Sequence, residues 1–183
     1  MAVKDLLKTK TNTVGFENVV VYKAQKGEFL LKDLVNKEEV KLGAKIEFLV
    51  VGRASQYILI KRDRKTKKLE IRKTAIHKSP KNCEREDGMK LINYYFGVLI
   101  TDDGFIPAVL ETKGSLLSTM IDAKPKRGEV VVLSKGEETE TPDGKPYFEA
   151  SIRVRPLTDD ENNDTSLEEA VRVVQDKYNS VED

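Results

Sequence analysis

The stretch from Ala44 to Arg62 constrains the fold more than any other part of the chain. It reads as one extended run of nineteen residues, Ile46-Glu47-Phe48-Leu49-Val50-Val51 followed by Tyr57-Ile58-Leu59-Ile60-Lys61-Arg62. A typical strand has about 5–6 residues. A strand three times that length must bend to stay packed against a small core. Gly52 and Ala54-Ser55 lie in its middle, where a bulge or sharp bend of the kind that closes a small barrel is expected.

Most of residues 14–158 also reads as strands, because β-branched and aromatic residues recur in short runs separated by Gly, Asp-Gly and Pro. The expected strands are Val14–Ala24, Glu28–Val35, Leu69–Ile76, Asn93–Thr101, Phe105–Glu111, Gly128–Ser134 and Lys145–Arg155. The run at Leu30–Leu34 also fits a helical turn. Asp103-Gly104 marks a tight hairpin, since Gly accepts the backbone conformation such a turn needs. Leu116–Ile121 reads as a short helix capped by Ser115. Ser166-Leu167-Glu168-Glu169 fits a capping box, after which Leu167, Val171, Val174 and Tyr178 follow one face of a terminal helix.

Strands, a short helix, then two more strands, with a long first strand bent near a glycine, predict a mainly β fold. The expected form is an oligonucleotide-binding (OB-like) five-stranded Greek-key barrel with a short inserted helix, an N-terminal β extension and a C-terminal helix. The expected organisation is residues 1–40 as an extension packing on the barrel, 41–157 as the barrel, and 158–183 as an acidic linker and helix.

Several chemistries find little support. The chain has one Cys (Cys83) and one His (His77), too few for a four-ligand His/Cys zinc site or an internal disulfide. No Gly-rich loop is followed by Lys-Ser/Thr, so a Walker-type phosphate loop is absent. Asp102-Asp103 resembles a carboxylate pair, but an Asp-Gly turn recruits such residues anyway. No catalytic or cofactor site is therefore expected. No apolar run reaches the ~18–20 residues that span a bilayer, and the first residues lack a signal-peptide pattern. The expected location is the cytoplasm, that of a host cell if the chain is phage-encoded.

The formal net charge of +1 conceals a strong asymmetry. Arg53 to Lys81 holds eleven basic and two acidic residues, a net of +9, whereas Asp159 to Asp183 holds nine acidic and two basic residues, a net of −7. Clustered Lys and Arg bind phosphates by releasing condensed counterions. An acidic end can compete with a polyanion or recruit a basic partner.

Alternation along strands then assigns faces. In the last strand Phe148, Ala150, Ile152 and Val154 should face the core, leaving Tyr147, Glu149, Ser151, Arg153 and Arg155 on the other side. Arg53, Tyr57 and Lys61 are spaced by four and share a face if no bulge falls between them. Tyr94, Phe96, Val98 and Ile100 look like core, placing Tyr95 on the opposite face. The candidate DNA-binding residues are Arg53, Tyr57, Lys61, Arg62, Arg72, Lys73, Tyr95, Tyr147, Arg153 and Arg155. Exposed tyrosines offer stacking platforms for bases at about 1–3 kcal/mol each, and the cations follow the backbone.

Three segments carry a family resemblance. Ile46–Ile60 resembles the opening barrel strand of phage-encoded single-stranded DNA-binding proteins. Tyr95-Phe96-Gly97-Val98-Leu99 through Pro107–Ser115 resembles their hairpin running into Lys-Gly-Ser and a short helix, and Tyr147-Phe148-Glu149-Ala150 the end of their barrel. The resemblance covers roughly Lys41 to Arg155. It implies a non-enzymatic protein that coats single-stranded DNA during replication or recombination, with replication or recombination proteins contacted through an acidic C-terminus. Some such proteins carry a zinc knuckle, whose ligands this chain lacks. The rival readings are a protein-interaction module, such as a phage factor binding a host polymerase, an RNA-binding barrel, and a nuclease using Asp102 and Asp103.

Overall fold

The computed structural model describes residues 17–183, so the expected strand start at residues 14–16 lies outside the described residues. The strands are β1 (Asn18–Lys23), β2 (Glu28–Asp33), β3 (Glu38–Gly43), β4 (Lys45–Arg62), β5 (Leu69–Lys73), β6 (Lys90–Thr101), β7 (Gly104–Thr112), β8 (Val130–Glu140) and β9 (Pro146–Arg155). Helix α1 (Gly114–Ala123) lies between β7 and β8, and α2 (Asp159–Asn162) and α3 (Thr165–Asn179) follow β9. The strands form one mixed sheet in the order β3-β2-β1-β7-β6-β4-β8-β9, with β5 attached to β4.

The long strand is present and bends where glycine was placed. β4 pairs with β8 over Lys45–Leu49, with β6 over Glu47–Ile58 and with β5 over Ile58–Arg62, and its register against β6 shifts between Val50 and Gly52. The extra residue reverses the facing of everything after it. Before the bulge Ile46, Phe48 and Val50 enter the main core, while Leu49 and Val51 join a second cluster on the opposite side. After it Ala54 joins the second cluster, and Arg53 pairs with Tyr95 of the main core. Gly52 also leaves room for a ring, because a Cβ there would sit 2.5 Å from the Tyr178 side chain.

Two apolar layers result. The main core draws Val20, Phe29, Phe48, Tyr95, Leu110, Leu116, Met120, Val131 and Ala150 from strands along the whole sheet and from α1. The second packs Leu167, Ala170 and Val174 of α3 on Leu49, Ala54, Tyr94, Phe96, Val98 and Val109. The expected apolar stripe of the terminal helix is therefore buried on the sheet, with Val171 and Tyr178 partly buried at its margin. Its cap differs from the expectation. Asp164 accepts from the Ser166 and Leu167 amides, and the reciprocal capping box lies earlier, between Thr158 and Glu161. Likewise α1 begins at Gly114 rather than after Ser115, with no side-chain cap bond.

The expected closed five-stranded barrel is not formed, because the sheet is open. β1 lies parallel to β7 (Val19 with Val109, Val20 with Leu110) and so takes the edge that β9 would need. The two sides meet through isolated hydrogen bonds. The Phe148 amide donates to the Ala24 carbonyl at 2.7 Å, and the Tyr22 hydroxyl donates to the Phe148 carbonyl at 2.7 Å. Val20, Phe29 and Leu31 share one core with Phe48 and Leu133, so the first hairpin fills the interior together with the later strands.

One ion-pair network ties the end of β9 to the segment that leads into α3. Arg155 donates to both carboxylate oxygens of Glu161 (2.7 and 3.0 Å) and reaches Glu47 at 3.4 Å. The Arg155 guanidinium, with the Thr158 amide and hydroxyl, holds the Glu161 carboxyl down at about 2 against an ordinary 4.5. A depressed carboxylate stabilises the fold above its unfolded pKa, and that contribution is lost as pH falls through the folded one. The Glu161 contribution is therefore complete above about pH 4.5 and gone near pH 2. Glu161→Gln should lower stability by about 1–2 kcal/mol at pH 7 and by less as pH approaches 2, read from urea melts at several pH values. An equal loss at every pH would show that the side chain acts through packing instead.

Candidate nucleic-acid interface

Beyond the bulge, β4 and β5 form a two-stranded ribbon. Every residue from Ile60 to Lys73 is exposed, and eight of them are Lys or Arg against Asp63 and Glu70. The turn is held by Asp63, whose carboxylate accepts from the Lys65 and Thr66 amides, which keep its pKa below the ordinary value.

The unbroken ladder from Arg53 to Ile58 against β6, continued by Ile58 to Arg62 against β5, settles which side chains share a face. Arg53, Tyr57 and Lys61 lie on one, as the spacing of four predicts, because the bulge precedes Arg53. Arg72 joins them across the ladder, opposite Leu59. Tyr57 is half-buried, and the Arg85 guanidinium sits 5.2 Å from its ring centroid. Arg85 was not among the sequence candidates. It comes from a polar loop that folds back over β4, and local pattern carries no signal for that return.

Arg62 and Lys73 alternate onto the other face of the ribbon. They flank Ile60, Leu69 and Ile71, which are 59%, 52% and 50% exposed, with Ile60 directly opposite Ile71. This apolar strip was also missed, although β-branched residues facing each other across a hairpin are its visible mark.

The structure does not bring the remaining candidates to the same place. Tyr95 was expected on an exposed face and is 2% exposed in the main core. Burial pushes its hydroxyl pKa up, partly opposed by the nearby Arg53 charge. In this conformation its ring cannot stack a base. The cause is that β6 is covered on both faces, by the interior on one side and by α3 on the other. Arg72, which does share the face of Arg53, Tyr57 and Lys61, is taken up by Glu70 at 2.9 Å and Glu86 at 3.0 Å. Arg153 and Arg155 leave β9 on the side opposite the core residues Ala150, Ile152 and Val154, as alternation predicts, and Tyr147 shares that side. That side of β9 does not continue the row on β4. Arg153 aligns across β8 with Glu47, which precedes the bulge, and Arg155 is taken up by Glu161 and Glu47. Arg153 is exposed.

Other reactive residues have structural roles. His77 pairs backbone to backbone with Ser55, and the Cys83 thiol is buried, donating to the Ser55 carbonyl at 3.4 Å. Burial raises the Cys83 pKa. Asp102 and Asp103 are exposed in the β6–β7 turn. Among the described residues no helix is long and apolar enough to cross a membrane, and no group of three or more His, Cys, Asp or Glu could hold a metal ion.

No family model matches the chain, and comparisons with curated proteins and with solved structures return no match.

Proposed function

We propose that this chain is a non-enzymatic protein that binds and coats single-stranded DNA, of the kind phages use in replication or recombination. The observation that carries the reading is the row Arg53–Tyr57–Lys61 on one face of an unbroken strand, with Arg85 stacked on the tyrosine. At ~3.3 Å per residue the row spans about 26 Å. It offers a ring between cations, the combination that tracks an unpaired strand without reading its sequence. The basic ribbon adds a solvated polyanion-binding arm, with Arg62 and Lys73 on its second face.

In this reading β4, β6, β7, β8 and β9 constitute an OB-like barrel left open, with the β1–β2 pair inserted between β7 and β9. Arg153 and Tyr147 form a separate contact lane on β9. The outward surface of α3, with exposed Glu168, Glu169 and Asp176 and a 45% exposed Val173, is the acidic surface for a replication or recombination partner.

Fluorescence anisotropy with a labelled oligo-dT strand at two salt concentrations tests this. Affinity should fall with salt at a log–log slope of about −0.7 for each phosphate neutralised. Absence of binding at low salt, or binding indifferent to salt, would rule the reading out. Competition by a matched RNA strand separates a DNA protein from an RNA one through the 2′-hydroxyl.

The strip Ile60–Leu69–Ile71 favours a second reading, a protein-interaction module docking through the ribbon. That reading predicts no salt-sensitive oligonucleotide binding and a partner lost on Ile71→Lys.

A further inference from the structure

At the foot of the Arg53–Lys61 row, where β4 leaves its bulge, a pocket of about 440 Å³ opens between β4 and the C-terminal ends of α1 and α3. Among the described residues four cations line it, Arg53, Lys78, Lys124 and Arg127, and no carboxylate does. Partners for these cations are weak or uncharged. Lys78 Nζ lies 3.7 Å from Asp183, whose side chain is 93% exposed, and 4.9 Å from the Tyr178 ring centroid. Arg127 donates to the neutral side chain of Gln175. Among the described residues the long Lys78–Asp183 pair is the one carboxylate contact of these four cations, so they repel one another and a bound anion would relieve that repulsion.

Two further features shape the pocket. Lys124 ends α1 in the left-handed conformation, φ 46° and ψ 55°, where glycine carries no steric penalty and lysine does. Lys37 and Lys67 take the same conformation in exposed turns, so what Lys124 brings to the pocket is its ammonium rather than its strain. The floor is also fixed. Gly52 admits the Tyr178 ring, and the Tyr178 hydroxyl donates to the Arg53 carbonyl at 3.3 Å.

We propose that this pocket binds a phosphate group. Two guanidiniums and two ammoniums supply charge-assisted donors of the type that hold phosphate oxygens. The phosphate comes either from a free nucleotide or from the phosphorylated end of a strand. Binding there goes beyond the coating activity, since the row on β4 does not require a terminal phosphate.

Calorimetric titration of the full chain with inorganic pyrophosphate and with thymidine 5′-monophosphate tests the proposal, using Lys124→Gly and Arg127→Gln as variants. Saturable one-to-one binding is expected, about fivefold or more weaker in each variant. Lys124→Gly should meanwhile raise Tm by roughly 2–4 °C by relieving the left-handed lysine. A weaker ligand in a more stable protein separates a binding role from a structural one. No saturable binding of either compound at several millimolar, or binding unchanged in both variants, would overturn the proposal. Oligo-dT with and without a 5′-phosphate then identifies the source. A preference for the phosphorylated strand that Lys124→Gly abolishes assigns the pocket to strand ends, and no preference beside intact monophosphate binding assigns it to free nucleotides. Unphosphorylated oligo-dT reads the coating function separately.

Discussion

Replacing Arg53 and Lys61 together with glutamate lowers affinity for labelled oligo-dT on the order of a hundredfold at low salt, and makes the log–log salt slope shallower by about 1.4. Both side chains lie on the same face of β4, one at each end of the row that Tyr57 centres, and both are exposed. Charge reversal removes two phosphate contacts and adds repulsion along the strand's path. The slope is the discriminating readout, because loss of neutralised phosphates changes it and a folding defect does not. Tyr57→Ala should cost about 1–3 kcal/mol of binding while leaving the slope nearly unchanged, since a ring releases no counterions. Full affinity in the double variant would show that the strand takes another route. The Arg153 lane on β9 would then be the first alternative, to be tested by Arg153→Glu.

The second large effect concerns stability. Gly97→Ala should destabilise the fold by about 3 kcal/mol and lower Tm by roughly 6–12 °C. A Cβ at Gly97 would collide with the Leu49 carbonyl oxygen and lie 2.6 Å from the Phe48 ring. The first obstacle is backbone in the neighbouring strand, so no rotamer change relieves it. β4 and β6 would have to separate beside the bulge, where Val50 pairs with Gly97. Thermal melts followed by circular dichroism measure this, and a shift below 2 °C would contradict so close an approach of the strands. Gly52→Ala is a useful comparison, because its obstacle is the Tyr178 side chain, which can swing away at the expense of α3 packing.

Much of the framework is legible in local pattern. The length of β4 and its bend at Gly52, the hairpin at Asp103-Gly104, and the apolar stripe of the terminal helix all follow from residue periodicity and from glycine, and each is present. The common face of Arg53, Tyr57 and Lys61 is legible too, given the position of the bulge. Tyr95 shows where such reasoning ends. Parity states that it opposes Tyr94 and Phe96, but not that α3, some seventy residues later, covers their side while the core takes Tyr95. Arg155 fails as a free cation for a related reason. Its captor Glu161 lies six residues away beyond a turn, and Glu47 lies two strands away. The open sheet depends on a parallel pairing of β1 with β7 across about ninety residues, and no local run encodes it.

The meeting of β9 with the end of β1 has a mechanical consequence. Where most neighbouring strands are stitched by several ladder bonds, this seam has the Ala24–Phe148 link and the Tyr22 hydroxyl bond to the Phe148 carbonyl. Such a seam can part without unzipping a ladder, so opening along this line is expected to come before loss of register elsewhere. The Phe148 amide is the proton that should report the motion, exchanging with solvent ahead of the amides of β6 on either side of Tyr95.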